Sequence, residues 1–222
     1  MKRTNKISAA HHQERLIMRE IIAILRGIAP AEALAIGTVL VDAGISKIEV
    51  PLNSPAPFDS IKILAENLGH RALIGAGTVL QPSEVAKIAE IGGKLIVSPN
   101  CDAAVIQAAR ALGLIMLPGV FTATECFTAL RAGASGLKFF PANLLRPIGI
   151  AALKAVLPKE IPTFAVGGVS IEKNAENNSI AEWVAAGVSG FGIGSALYKP
   201  GYRADQVAAH AAKFVAAYDM AM

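Results

Sequence analysis

The chain has 222 residues, of which 53% are hydrophobic and 17% are charged, a composition that provides one large core and excludes intrinsic disorder. The formal net charge is +4, but five basic against two acidic side chains place +3 within residues 1–20, which argues against a nucleic-acid-binding face on the folded body. No window of about 18 residues is apolar enough to span a membrane, and the N-terminus lacks the apolar stretch of a secretory signal. We therefore expect a cytoplasmic protein with a tail or short helix over residues 1–20 and a single domain over residues 21–222.

A repeated pattern runs along the chain: a helix-like segment ends near a glycine, and a β-branched apolar run follows. The first five of these glycines are 20 to 25 residues apart, about the length of one βα unit. The predicted strands are residues 21–25, 47–51, 72–76, 94–98, 114–117, 136–140, 163–166 and 190–194. Eight alternating units predict an α/β fold of the (β/α)8 TIM-barrel type, with a doubly wound open sheet as the alternative.

One lysine lies inside the apolar run GLKFFPA. In a parallel barrel the carboxyl ends of the strands form a ring in which the active site is expected, and Lys138 belongs to this ring. Burial disfavours the charged form of a lysine and lowers its pKa, so that a neutral amine becomes available to attack a carbonyl group. The alternative is that the Lys138 side chain extends from the strand end to solvent and has no chemical role.

Two further charged residues belong to the same ring. Glu49 lies in the apolar run KIEVP and could transfer protons to and from a bound substrate, or form a structural ion pair with Arg26 or Lys138. Arg26 ends the first strand, where its guanidinium suits a carboxylate or a phosphate, or lies at the rim without a ligand. Lys138 and Glu49 together form a combination of nucleophile and general acid/base.

Glycine-rich segments follow the last two strands, VGGV at 166–169 and GIGS at 192–195. Barrels often bind phosphate at this place through backbone N–H groups, and glycine permits a close approach, although both segments could be simple turns. GAGT at 75–78 lacks the third glycine of a dinucleotide-binding loop, and a tight turn that presents the Thr78 hydroxyl explains it better. No cluster of histidine or aspartate predicts a metal site.

Seven motifs resemble, in order, those of the phosphogluconate-type (KDPG) and hydroxyglutarate aldolase family: IAILRGI, IEVPLNSP, ALIGAGTVL, LIVSPN, LKFFPA, FAVGGV and GIGSALY. The resemblance extends from about Ile21 to the C-terminus and implies a TIM barrel, usually trimeric, that uses no metal and needs no cofactor. It implies that Lys138 forms a Schiff base with a keto acid and that Glu49 transfers protons. The other residues that it implies in substrate binding are Arg26 and Thr78 for the pyruvate part, Pro99 and Phe140 for the pocket wall, and Gly168, Gly194 and Ser195 for the phosphate. Gly167, beside Gly168, is also predicted to bind the substrate.

Within this family the resemblance is to the branch that cleaves 2-dehydro-3-deoxy-6-phosphogalactonate to pyruvate and D-glyceraldehyde 3-phosphate, in bacterial galactonate breakdown. Val166 and the motif IEVPLNSP point to that branch, because the phosphogluconate type usually has a threonine at the position of Val166. A hydroxyl-for-methyl change shifts substrate preference by only about 1–3 kcal/mol, so the 2-dehydro-3-deoxy-6-phosphogluconate/4-hydroxy-2-oxoglutarate activity is the alternative. Remoter alternatives are a sugar-phosphate isomerase or epimerase, which would not need Lys138, and a non-catalytic sugar-phosphate-binding barrel.

Overall fold

The computed structural model describes residues 19–171 and 179–222, and the predicted tail over residues 1–20 lies outside this part except for its last two residues. The strands are β1 (Ile21–Ile24), β2 (Lys47–Pro51), β3 (Leu73–Gly77), β4 (Leu95–Val97), β5 (Ile115–Leu117), β6 (Gly119–Val120), β7 (Leu137–Phe139), β8 (Thr163–Val166) and β9 (Gly190–Ile193). All eight predicted strands are confirmed to within one residue at each end.

Helices alternate with these strands. They are α1 (Pro30–Asp42), α2 (Pro57–Leu68), α3 (Pro82–Glu90), α4 (Ala103–Ala111), α5 (Ala123–Ala132), α6 (Ala142–Lys154), α7 (Ile180–Ala185) and α8 (Ala204–Ala221). The first three begin at a proline, whose missing N–H is no loss in the first helical turn. Asp102 caps α4 by accepting the N–H groups of Ala104 and Val105. In the described part of the chain no helix is long and apolar enough to cross a bilayer.

The strands form one closed parallel sheet. Their order is β5-β4-β3-β2-β1-β9-β8-β7-β6, and every pair is parallel. Pro118 alone separates β5 from β6, because it has no N–H to donate to a ladder. The fifth predicted strand therefore continues beyond a break, pairing with β4 before it and with β7 after it. This pairing closes the predicted barrel and excludes the doubly wound open sheet.

Apolar side chains fill both faces of the barrel wall. The larger cluster packs the helices against outward-facing strand residues, such as Ile48 and Val50 of β2. The smaller cluster lies inside the barrel and consists of Ile22, Leu95, Val97, Leu117, Phe164 and Val166. Because strand side chains alternate between faces, Lys47 and Glu49 of β2 point to the interior, one on each side of this apolar layer. The layer thus separates the two ends of the barrel.

Charged side chains at the amino-terminal end of the strands are paired. Arg19 donates from Nε and Nη2 to the two carboxylate oxygens of Asp219 at 2.7 and 2.6 Å, and so ties the start of the described chain to α8. Lys47 Nζ lies 2.9 Å from Oε1 of Glu20. This end of a TIM barrel contributes mainly to stability.

Candidate active site

A cavity of about 590 Å³ opens at the carboxyl ends of five strands, β1, β2, β7, β8 and β9. Nine of the eleven residues predicted for the site line it, although they are far apart in the sequence. They are Arg26, Glu49, Lys138, Phe140, Val166, Gly167, Gly168, Gly194 and Ser195. The closed barrel brings these strand ends together.

Lys138 is the central residue of β7 and is 7% exposed. Its Nζ lies 4.6 Å from the centroid of the Phe140 ring, which covers one side of the amine. Burial lowers the pKa of Lys138 to about 8; the negative charge of Glu49 opposes this shift, and the positive charge of Arg26 adds to it. The amine is therefore far easier to deprotonate than a lysine in water.

Glu49 is the central residue of β2 and is 2% exposed. Its Oε2 is buried and has no hydrogen-bond partner among the described residues. A Cβ on Gly77 of β3 would overlap the carboxylate, so the absence of a side chain there makes the room that Glu49 occupies. Burial raises the pKa of Glu49 to about 7, against the lowering effects of Lys138 and Arg26. Glu49 can consequently both accept and donate a proton near neutral pH.

Arg26 is exposed at the end of β1, and the loop after β2 holds it in place. Its Nη1 donates to Oδ1 of Asn53 at 2.6 Å. Beside it, Ser54 Oγ accepts the N–H of Gly27 at 2.9 Å, which fixes the turn after β1. A guanidinium has five N–H donors, so the bond to Asn53 leaves others for a planar anion such as a carboxylate.

The loop after β8 follows a path that favours glycine. Gly167 has a φ of +92°, and a Cβ there would lie 3.3 Å from the Phe140 ring that covers Lys138. Gly168 has a φ of +73°, and a Cβ there would lie 2.5 Å from Cβ of Asn143. Left-handed backbone of this kind is strained for other residues, which accounts for the two glycines of VGGV.

The loop after β9 forms a single helical turn at the cavity. The carbonyl of Gly194 accepts the N–H groups of Leu197 and Tyr198 at 2.8 and 3.0 Å. Ser195 and Ala196 therefore occupy the start of the turn, and both line the cavity. N–H groups in a first turn have no partner within the turn and suit an anion.

Val166, at the end of β8, is 5% exposed and pairs in register with Gly192 of β9. A Cβ on Gly192 would lie 2.7 Å from Cγ2 of Val166, so the valine fills space that this glycine leaves open. Val166 therefore presents methyl groups, and no hydroxyl, to the cavity.

Two predicted residues, Thr78 and Pro99, are not in the cavity wall that the described residues form. They follow β3 and β4 at the same end of the barrel, beyond Glu49 in the strand order. Thr78 has a φ of +56°, which is rare for a β-branched residue and indicates a constrained backbone. The substrate-binding roles of both residues remain predictions.

Sequence reasoning did not single out the segment that directly follows the motif GIGSALY. Lys199 and Pro200 line the cavity there, next to Tyr198, the last residue of that motif. The available signal was a basic residue next to a proline-glycine turn shortly after a predicted strand, which is a common feature of surface loops.

The chemistry of the wall suits a substrate with several negative charges. Three cationic side chains, Arg26, Lys138 and Lys199, face one carboxylate, Glu49, among the described lining residues. Within residues 19–171 and 179–222, no three His, Cys, Asp or Glu side chains come together in a group that could hold a metal ion. A nucleophilic amine beside a proton-transferring carboxylate can form and break bonds next to a carbonyl group.

Known proteins are similar to this chain in sequence and in fold. The family model of KDPG and KHG aldolases matches residues 13–207. A probable 2-dehydro-3-deoxy-6-phosphogalactonate aldolase of Rhizobium meliloti (strain 1021) is 50% identical over 201 residues, which cover 90% of this chain and 92% of the relative. The 2-dehydro-3-deoxy-6-phosphogalactonate aldolase of Escherichia coli (strain K12) is 50% identical over 198 residues, covering 89% and 94%. A solved structure of native KDPGal matches with a TM-score of 0.87 at 49% identity and covers 90% of this chain and 95% of that chain. The chain therefore belongs to the KDPG and KHG aldolase family and is an aldolase, a lyase.

Proposed function

We propose that this aldolase cleaves 2-dehydro-3-deoxy-6-phosphogalactonate to pyruvate and D-glyceraldehyde 3-phosphate through a Schiff base on Lys138. The observation that carries the proposal is the presence of Lys138 and Glu49, both buried, in one cavity, each with a pKa moved toward neutrality. Buried groups whose pKa values suit proton transfer near pH 7 are typical of catalytic sites. The two relatives at 50% identity supply the substrate.

The first step is attack by the lysine. Neutral Nζ of Lys138 adds to the C2 carbonyl carbon of the keto acid, and loss of water gives a protonated imine. An amine with a pKa of about 8 is roughly one tenth neutral at pH 7, against roughly 0.03% at the ordinary lysine value. Burial of Lys138 thus raises the concentration of the nucleophile several hundredfold.

The second step is cleavage of the C3–C4 bond. Glu49, directly or through a water molecule, takes the proton of the C4 hydroxyl, and the C4 oxygen becomes the aldehyde of glyceraldehyde 3-phosphate. The electrons of the broken bond move into the imine, which becomes an enamine. Glu49 then returns a proton to C3, and hydrolysis releases pyruvate and the free amine. A carboxyl group with a pKa of about 7 suits both directions of transfer.

The remaining wall residues bind the two ends of the substrate. Arg26 holds the carboxylate of the pyruvate part with guanidinium donors that Asn53 does not use. Gly168, Gly194 and Ser195 receive the phosphate, where the two glycine loops approach the cavity. This proposal is supported by the left-handed backbone of Gly167 and Gly168 at the cavity and by the helical turn that begins beside Gly194.

Trapping with borohydride tests the Schiff base. Borohydride reduces an imine to a stable secondary amine, so pyruvate and borohydride together should inactivate the enzyme and add mass to the peptide that contains Lys138. A Lys138→Met variant should gain no mass from pyruvate and borohydride (the label in this experiment), and it should release no pyruvate from substrate. Labelling of another lysine, or an active enzyme that takes up no label, would contradict the assignment, and an isomerase would not be modified.

Pyruvate release from the two C4 epimers tests the substrate. We expect faster cleavage of the galactonate form, and we expect Val166→Thr to raise the relative kcat/KM for the gluconate form by up to tens of fold. If the wild type cleaves the two epimers equally fast, or the gluconate form faster, the lysine mechanism still holds, but the substrate assignment changes to the phosphogluconate activity. An unchanged ratio in Val166→Thr would remove Val166 from the specificity argument.

We also propose, from the family resemblance, a homotrimer in the cytoplasm. Apolar side chains on α6 support a contact between subunits, because Leu144 is 68% exposed and Ile148 is 80% exposed. Sedimentation equilibrium should give three times the mass of one chain, and a monomer at micromolar concentration would contradict the trimer.

A further inference from the structure

Lys199 lines the cavity but has no part in the function proposed above. The substrate of that function carries one carboxylate and one phosphate, the latter with a charge of about −1.5 to −2 at pH 7. Of the three cations in the described wall, Lys138 must lose its charge to react, and Arg26 lies beside Asn53 at the end assigned to the carboxylate. Lys199 is the cation that remains for the phosphate.

The chain places Lys199 next to the proposed phosphate loops. The turn that begins after Gly194 ends at Tyr198, whose N–H donates to the Gly194 carbonyl, and Lys199 follows directly. Ser195 therefore lies at the start of one short turn, Lys199 directly follows its end, and both residues line the same cavity.

The backbone around Lys199 is held on both sides. Tyr198 is 2% exposed, and its hydroxyl donates to Oε2 of Glu32 in α1 at 3.1 Å. Pro200 packs against the turn after β1, since a Cβ on Gly27 would lie 2.8 Å from Cγ of Pro200. The side chain of Lys199 itself is exposed. Fixing the backbone before binding lowers the entropic cost of presenting the ammonium to a ligand.

We propose that Lys199 binds the phosphate group of the substrate and supplies positive charge that the glycine loops lack. This inference rests on the proposed aldolase function. Among the described residues no carboxylate forms an ion pair with Lys199, so its ammonium is available. A lysine acts as a flexible point charge and suits a phosphate that backbone N–H groups already orient.

The test compares phosphorylated with unphosphorylated aldehyde in the direction of aldol addition. With saturating pyruvate, kcat/KM is measured for D-glyceraldehyde 3-phosphate and for D-glyceraldehyde in the wild type, Lys199→Met, Lys199→Arg and Lys213→Met. Lys213 is an exposed lysine of α8 outside the cavity wall, and its variant is the matched control. We expect Lys199→Met to lower the ratio of the two kcat/KM values about tenfold, as for the loss of one charge-assisted hydrogen bond. The loss should be in KM for the phosphorylated aldehyde, Lys199→Arg should restore most of it, and Lys213→Met should show none.

An unchanged ratio in Lys199→Met would overturn the proposal. Equal losses for both aldehydes, or a raised KM for pyruvate, would also overturn it, because Lys199 would then serve the carboxylate or the shape of the loop. Failure of the proposed function looks different, since the wild type itself would cleave neither C4 epimer and form no adduct with pyruvate.

Discussion

Lys47 and Glu49 lie two residues apart on β2 and point into the same barrel, yet their surroundings are opposite. At the amino-terminal end, Lys47 Nζ lies 2.9 Å from a carboxylate oxygen of Glu20. At the carboxyl-terminal end, Glu49 is 2% exposed, and its Oε2 has no hydrogen-bond partner within the described residues. A paired charge is compatible with stability, whereas a buried carboxylate without a partner is costly and is retained where chemistry requires it.

The same contrast separates Arg19 from Lys138. Arg19 forms two hydrogen bonds with Asp219, and this pairing raises the pKa of the arginine and keeps it charged. Burial of Lys138 lowers the pKa of the lysine toward neutrality. The comparison teaches that the two ends of one barrel treat charge differently. Ion pairs at the amino-terminal end of the strands keep side chains charged, whereas burial at the carboxyl-terminal end shifts pKa values toward neutrality.

The largest expected loss of activity comes from a change at the carboxyl-terminal end of the strands. Glu49→Gln keeps the shape of the side chain but removes proton transfer, and we expect kcat to fall by about 10²–10⁴-fold. In the wild type kcat/KM should fall as pH drops below about 8, because Lys138 becomes charged, and a second, steeper step should follow below about 7, because Glu49 must be ionised to act as the base. A pH series of kcat/KM should show that Glu49→Gln has lost this second step. Retention of most of the wild-type rate would remove Glu49 from the mechanism.

Gly77→Ala tests the space that Glu49 occupies. The new Cβ would overlap the carboxylate, so Glu49 must move, and we expect about a hundredfold loss of kcat/KM with an altered pH profile. Gly149→Ala is the matched control, because a Cβ there meets its nearest atom, Cδ2 of Leu145, at an ordinary 3.5 Å. If the two variants behave alike in steady-state kinetics, Gly77 has no positioning role.

Lys138→Met tests, through the free energy of unfolding, whether the buried charge of Lys138 destabilises the fold. The folded pKa of Lys138, about 8, is below its unfolded value, so the folded state is penalised wherever the lysine is charged. This penalty is full below pH 8 and disappears as pH rises toward 10.5. We expect the variant to be inactive but more stable than the wild type at pH 6, by on the order of 2–3 kcal/mol. Urea unfolding at pH 6 and pH 10 should show the difference shrink; a variant less stable at pH 6 would contradict the idea.

Lys47→Met should have the smallest effect and the opposite sign. Its side chain and that of Glu20 are 17% and 34% exposed, so solvent screens the pair and its loss should cost less than about 1 kcal/mol. Catalysis should remain at the wild-type level, because Lys47 lies beyond the apolar layer that divides the barrel. Parallel urea unfolding and pyruvate-release assays measure both quantities, and a large loss of activity would show that the two ends are coupled.

Lys138 and Glu49, which lie in apolar runs, could be singled out from the sequence, whereas Lys199, which lies in a loop, could not. Lys138 and Glu49 were conspicuous because a strand covered on both faces rarely tolerates charge. Lys199 escaped because a lysine in a polar loop has many ordinary explanations. Thr78 and Pro99 were predicted from motifs, and their absence from the described cavity wall could not be predicted, because it depends on how the strand ends are arranged in three dimensions.

The positions of the strands along the chain and their alternation with helices follow from the sequence by itself, because apolar periodicity and local turn chemistry act over a few residues. The sequence also singled out Lys138 and Glu49 as candidates for the reactive side chains. Closure of the sheet across Pro118, the contact of Gly77 with Glu49 and the bond from Arg26 to Asn53 were decided only by the tertiary structure. The pKa values of Lys138 and Glu49 were likewise decided only by the tertiary structure. They depend on how much water the surrounding strands exclude, and no short stretch of sequence contains that information.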